Sequence, residues 1–272
     1  MTRLGGAALI LGLALLWAGG VRAEGLRILS LDQCADQYAL ALSGPDDRLF
    51  LSPRADDPDS RMGAQAAGHA RVRPTLEAAL VARPDVVIRY WGGEPRLLAA
   101  LERGGVTIAG IDDATDFDGV RANVRRVAGV LGREDQGRLL VADMDERLAR
   151  AASARASGSA LYMTAGGFTA GDRTMVGAVF RAAGLRSLSP SPFFAPVSVE
   201  RLLLEPPARF VLAFYDQVRA DWRGPGRHPA LRRLMGERTV TRLPAAVMGC
   251  PAWFAAEAAE TLAAQAARAS RP

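Results

Sequence analysis

Short apolar runs rich in β-branched residues recur along the chain, separated by longer stretches whose apolar positions repeat every three or four residues. The runs Arg27–Leu31, Arg48–Ser52, Val86–Tyr90, Val106–Ile111, Ala160–Thr164, Phe210–Phe214 and Val240–Leu243 predict strands. Most are continuously apolar rather than alternating, the pattern of parallel strands covered on both faces. The stretches between them carry helix boundaries. Pro74-Thr75-Leu76-Glu77 opens a helix that stops before Arg83-Pro84, and Glu94-Pro95 opens another that stops at Gly104-Gly105. This alternation predicts an α/β architecture with right-handed crossovers.

The pattern falls into two blocks on either side of a long helical run. From Glu134 to about Ala154 there is no proline and only Gly137 interrupts, while Leu140, Met144 and Leu148 recur on one face. Glu134 and Asp135 stand where a helix N-terminus favours carboxylates. The expected organisation is an N-terminal α/β lobe over residues 24–132, a linker helix over 133–156 and a C-terminal α/β lobe over 157–272. Ahead of them, Arg3, the apolar run Ala7 to Trp17 and the small-residue stretch ending at Ala23 have the three-part layout of a secretory signal peptide. Residues 1–23 are therefore expected to be cleaved. The apolar run is short for a bilayer span, and no cysteine follows it at a lipobox position. The expectation is an exported protein, free in the periplasm without a lipid anchor.

Composition narrows the function. The net charge of +5 comes with no basic cluster interleaved with aromatics, which argues against a nucleic-acid partner. All 34 basic residues are arginine, as codon bias in a GC-rich genome produces; guanidiniums also suit carboxylate or phosphate groups on a ligand. His69 and His228 are the only histidines, too few for a three-histidine metal site. No nucleophile elbow, Walker loop or dinucleotide fingerprint occurs, so neither catalytic residues nor a metal site of the protein's own are expected.

Three segments carry a resemblance: residues 74–88 (Pro74-Thr75-Leu76-Glu77 through Asp85-Val86-Val87-Ile88), Phe168-Thr169-Ala170-Gly171-Asp172-Arg173-Thr174, and Pro196-Val197-Ser198-Val199-Glu200-Arg201-Leu202-Leu203. Their order and spacing resemble the class III periplasmic binding proteins, which serve cobalamin, iron-siderophore and haem importers, over roughly residues 26–268. The resemblance implies two Rossmann-like lobes joined by a single long helix, with the ligand in the cleft between them. It implies a monomer that binds a small-molecule metal chelate, a cobalt corrinoid or an iron chelate, with no other cofactor. It also implies an ABC transporter permease dimer in the inner membrane as partner, docked through one acid per lobe, Glu77 and Glu200. Taken singly, each of these is equally an ordinary first-turn glutamate facing a helix dipole. Ser52-Pro53-Arg54 departs from haem receptors, which commonly place a tyrosine there, so haem is the least favoured chelate. A periplasmic sensor or scaffold of the same fold is the alternative role.

Tyr90-Trp91-Gly92-Gly93 follows a predicted strand directly, where open α/β sheets bind ligands. Phe168, Phe193, Phe194 and Trp253 lie after or between strands of the second half. Each ring either meets the ligand or plugs the core. Asp32, Asp36, Arg54, Asp56 and Asp57 form a polar group in the first block, of which Asp32 and Arg54 are candidate ligand contacts and the remainder reads as solvated loop charge. Cys34 and Cys250 border the predicted cleft, one per lobe. Three states are open to them: a disulfide stapling the lobes, two free thiols, or a thiolate on the bound metal.

Overall fold

The structure is a computed structural model describing residues 25–219 and 223–269; the predicted signal peptide, 1–23, lies outside the described residues. The first lobe contains β1 (Arg27–Ser30), α1 (Gln33–Leu42), β2 (Arg48–Leu51), β3 (Ala70–Arg71), α2 (Leu76–Ala82), β4 (Val86–Arg89), α3 (Pro95–Arg103), β5 (Thr107–Gly110) and α4 (Phe117–Leu131). Its strands form one parallel sheet in the order β3-β2-β1-β4-β5, with Ile28 of β1 between Leu49 and Val86. Ile28, Val87 and Ile88 are fully buried because helices cover both faces.

Helix α5 (Glu134–Ser153) leads into the second lobe: β6 (Ser159–Thr164), β7 (Phe168–Ala170), α6 (Met175–Ala182), β8 (Arg186–Ser187), β9 (Phe194–Pro196), α7 (Val199–Leu204), β10 (Phe210–Ala213), α8 (Pro229–Met235), β11 (Thr239–Leu243), α9 (Ala245–Met248) and α10 (Ala255–Ala269). Four strands form a second parallel sheet, β11-β10-β6-β8, while β7 and β9 pair antiparallel. The two-lobed α/β fold expected from the sequence is present. Each predicted strand appears within about two residues of its expected ends. Among the described residues, no helix is long and apolar enough to cross a membrane.

The lobes share one core. A single cluster of buried side chains runs from Ile28 and Tyr38 through Val141 and Met144 of α5 to Tyr162, Phe180 and the alanine-rich face of α10. Ala258, Ala259, Ala263 and Ala266 are buried on α10, small enough to let its backbone approach closely. Gly137 serves the same end on α5, since a Cβ there would sit 2.6 Å from that of Ala128 on α4. Close-packed interiors deform little, so a core continuous across both lobes limits their relative movement.

A covalent tie reinforces it. Cys34, in the first turn of α1, is bridged to Cys250, which follows α9, with Cα atoms 5.4 Å apart. Of the three states open in the sequence, the structure shows the disulfide. One turn further along α1, the Tyr38 hydroxyl donates a buried 2.7 Å hydrogen bond to the Pro251 carbonyl, and its ring meets Trp253 edge-on at 5.3 Å.

Unreduced protein is expected to show no free thiol in a denaturing thiol count. Because the bridge closes a separation of 216 residues, chain entropy sets its contribution at up to about 5 kcal/mol. The Cys34→Ser/Cys250→Ser variant is expected to unfold at lower denaturant concentration; an unchanged midpoint would contradict the stapling role.

Candidate functional site

In a parallel sheet a crevice opens at the carboxyl ends of the strands where the order reverses direction. In the first sheet that point lies between β1 and β4. Asp32 caps α1 by accepting from the Ala35 N–H (2.9 Å), and its other oxygen accepts from the N–H groups of Tyr90 (2.7 Å) and Gly92 (2.9 Å). The Asp32 carboxylate is thus engaged by three backbone donors and holds the loop after β4. A Cβ on Gly92 would come within 2.5 Å of the Leu31 carbonyl oxygen, so the loop passes over β1 only with glycine there. The loop presents Trp91, 71% exposed and edge-on to Tyr90 at 5.3 Å. Tyr90 is half-buried and its hydroxyl donates to Asp113 (2.7 Å); burial, then that bond, raises its phenol above the ordinary value.

The second sheet reverses between β6 and β10, and a cavity of about 440 Å³ opens there. Its lining includes Thr164, Phe168, Phe194, Phe214, Gln217 and Arg219. The β7–β9 ladder pairs Ala170 with Phe194 and Phe168 with Pro196, which brings two rings distant in sequence to one wall. Phe168 and Phe194 are 47% and 59% exposed. Phe193 is exposed beside them but outside this lining. Phe214 has φ +61°, the left-handed region that costs a bulky residue about 1–3 kcal/mol and tends to persist at functional sites.

One contact joins the cavity to the opposite lobe. Arg219 lies 3.7 Å from Asp57, whose carboxylate also accepts from Arg54 Nε at 2.8 Å; Arg54 reaches Asp59 as well, at 3.8 Å. Arg54 is thus placed at the interlobe boundary, held between two acids. Phe214 and Arg219 were not singled out in the sequence. Phe214 had a signal, as the bulky last residue of a predicted strand, whereas the pairing of Arg219 with a residue more than 150 positions away had none.

Two expectations are corrected. Trp253 is only 7% exposed, packed edge-on against Tyr38 and Phe254, and belongs to the core rather than the cleft. Asp36 is fully buried rather than solvated; it accepts from the hydroxyls of Ser30 and Ser52 (2.6 Å for the latter) and from the Ser52 N–H (2.8 Å). It ties the ends of β1 and β2 to α1, and burial pushes its carboxyl up to about 6.

Glu77 and Glu200 are exposed at equivalent places, each the second residue of a short helix capped by Thr75 or Ser198. The Ser198 hydroxyl donates to Glu200 at 2.9 Å; a bond to the residue's own backbone, then this one, lowers its carboxyl. Exposed apolar side chains accompany both acids: Leu80 and Val81 on α2, Leu203 and Leu204 on α7.

Residues 47–249 match the family model described as periplasmic binding protein. No curated protein matches the chain by sequence. Among solved structures, the periplasmic haem-binding protein BhuT in complex with two haems is 23% identical with a TM-score of 0.68, over 89% of this chain and 98% of that one. The haem-binding protein RhuT from Roseiflexus sp. RS-1, in apo form, is 21% identical with a TM-score of 0.69, over 91% and 100%. The periplasmic vitamin B12 binding protein BtuF of Vibrio cholerae is 20% identical with a TM-score of 0.62, over 92% and 99%. At these identities the likeness is one of fold.

Trp253→Ala is expected to cost about 3–5 kcal/mol of stability, the range for a buried large aromatic, while Trp91→Ala changes it by less than about 0.5 kcal/mol; denaturant titrations check both. Asp36 gives a pH signature. Its folded value near 6 exceeds the unfolded 3.8, so its contribution is full below 3.8 and is lost as pH rises through about 6. Asp36→Asn is expected to flatten that decline when unfolding free energy is measured across the window.

Proposed function

The chain belongs to the periplasmic binding protein family, and from that premise we propose that it is the solute-binding component of an ABC importer. In this reading it works as a monomer in the periplasm, captures a metal chelate of the cobalamin or ferric-siderophore class, and delivers it to the permease dimer of the inner membrane. The observation that carries the reading is the exposed aromatic cavity at the reversal point of the second sheet, tied to the first lobe through Arg219 and Asp57. A bulky chelate buries its faces against Phe168, Phe194 and Phe214 on one side and against Tyr90 and Trp91 on the other. Phe193 extends the apolar rim.

Carboxylate or phosphate groups on the chelate are met by Arg54 and Arg219. Arg219 is 66% exposed at 3.7 Å from Asp57, and solvent screening on the arginine side keeps such a pair to about 1 kcal/mol or less. A ligand anion therefore exchanges with Asp57 at little cost. The shared core and the disulfide keep lobe movement small, so ligand selection rests on the shape of the gap more than on closure. Glu77 and Glu200 supply one exposed carboxylate per lobe for arginines of the permease, and the apolar residues beside them add contact area.

Fluorescence titration of the protein against cobalamin, a panel of ferric siderophores and haemin tests the reading. Haemin is included because two of the structurally similar proteins are haem-binding. Saturable binding of one chelate is expected, weakened about tenfold or more by Phe168→Ala or Trp91→Ala; failure of every chelate to bind contradicts it. Glu77→Arg and Glu200→Arg are expected to leave that affinity unchanged and to reduce uptake in cells carrying the cognate permease. Loss of ligand binding in a folded Glu77→Arg or Glu200→Arg variant would contradict the docking assignment.

A further inference from the structure

A second concave surface near the second sheet shares no lining residue with the aromatic cavity. It has a volume of about 850 Å³ and lies between α8 and the edge strand β11, lined by Tyr215, Arg227, Arg232, Arg233, Met235 and Arg242 along with Pro229. Four guanidiniums meet there, and among the described residues no carboxylate belongs to the lining. Among the described residues, no acid stands within ion-pair distance of Arg232, Arg233 or Arg242. Elsewhere on the molecule Arg54, Arg61, Arg121, Arg126, Arg147 and Arg150 each hold a carboxylate within 4.0 Å, while others such as Arg103 and Arg125 stand singly without one among the described residues; what sets this concavity apart is that several guanidiniums share it.

The pocket is also built, since two of its guanidiniums are positioned by one ring. Arg227 and Arg242 lie 5.4 Å and 5.6 Å from the centroid of Tyr215, and Arg227 donates to the Tyr215 carbonyl at 2.8 Å. The Tyr215 hydroxyl donates to the Gly226 carbonyl at 3.0 Å, and burial pushes its phenol up to about 12, so the ring adds no negative charge of its own. Like charges gathered around one concavity repel each other, and a bound anion reverses the sign of that interaction. The guanidinium fork matches tetrahedral oxyanions bidentately. Arg232 and Arg233 reach the pocket from a helix and Arg242 from a strand, so the donors approach from two directions. That arrangement suits a phosphoryl group, with several equivalent oxygens on one centre, better than a planar carboxylate.

We propose that the concavity between α8 and β11 is a binding site for phosphoryl oxyanions, distinct from the aromatic cleft and independent of what the cleft binds. The phosphoryl group belongs either to a free polyphosphate or phosphate ester, or to an anionic lipid headgroup. Isothermal titration with inorganic pyrophosphate at low ionic strength is the first arm, and co-sedimentation with phosphatidylglycerol against phosphatidylcholine vesicles the second. Each is run on the unaltered protein, on Arg232→Gln/Arg242→Gln, and on Arg103→Gln/Arg125→Gln, which removes the same charge from α3 and α4. Saturable pyrophosphate binding is expected, weakened about tenfold or more in the first variant and nearly unchanged in the second. Binding confined to phosphatidylglycerol vesicles with the same sensitivity supports the site and assigns its ligand to lipid. Absence of binding in both arms, or equal loss in both variants, overturns the proposal.

Discussion

The ten residues of α1 carry the constraint on which the rest of the molecule depends. Every second position around its start, from the N-cap onward, ties down a different element. Asp32 fixes the loop that presents Tyr90 and Trp91, Cys34 is bridged to Cys250, Asp36 gathers the ends of β1 and β2, and Tyr38 is bonded to Pro251 and packed on Trp253. The second lobe's segment from Cys250 to Phe254 is thereby pinned against the first lobe. A buried phenol left without its acceptor costs roughly 1–3 kcal/mol, so the Tyr38–Pro251 bond keeps the segment in place even before the disulfide is counted. The relative position of the two sheet edges, and with it the cleft, follows from this one helix.

Such pinning shapes how the cleft works. A receptor whose lobes swing widely can fold around ligands of many sizes, but here the core is continuous through α5 and α10 and is stapled near the cleft. In the proposed reading, adjustment is left to exposed parts: Trp91, the Phe168 and Phe194 rings, and the Arg219–Asp57 pair. These are the low-cost contacts, because exposed side chains and exposed ion pairs lose little on rearranging. The strain at Phe214 belongs to the same division, with a rigid sheet holding a ring in a backbone state that a free loop would leave.

The layers of the fold were legible in the sequence because buried parallel strands are continuous apolar runs and α5 carries a long uninterrupted helical repeat. The strands that escaped, β3, β7, β8 and β9, are two or three residues long, too short to show a period. Of the candidate site, the position of a ring relative to a strand end was legible and its direction was not. Trp91 follows β4 and Trp253 follows α9; one is exposed to solvent while the other packs beside α1 against Tyr38. Carboxylates behaved likewise. Asp32 read as a ligand contact and Asp36 as loop charge because their partners are backbone N–H groups and serine hydroxyls supplied by other elements, which no local pattern displays. The cysteine count left three states open, and only the closeness of two distant backbones distinguished them.

The arginine-only basic composition finds two fates in the fold, and the contrast is physical rather than compositional. At the cleft boundary, Asp57 stands between Arg54 and Arg219 with Asp59 nearby, so positive charge is balanced and the aromatic surface dominates. Between α8 and β11, among the described residues, no acid offsets Arg232, Arg233 or Arg242, and the Tyr215 ring serves to position Arg227 and Arg242. A field of several like charges over a low-dielectric wall draws anions more strongly than a balanced pair does. An anionic group arriving from solvent is therefore directed toward the pocket beside α8, while a ligand that enters the cleft is selected by the faces it can bury. Two recognition chemistries are kept apart on one lobe because the sheet between them places its reversal point, and hence its cavity, away from its edge strand.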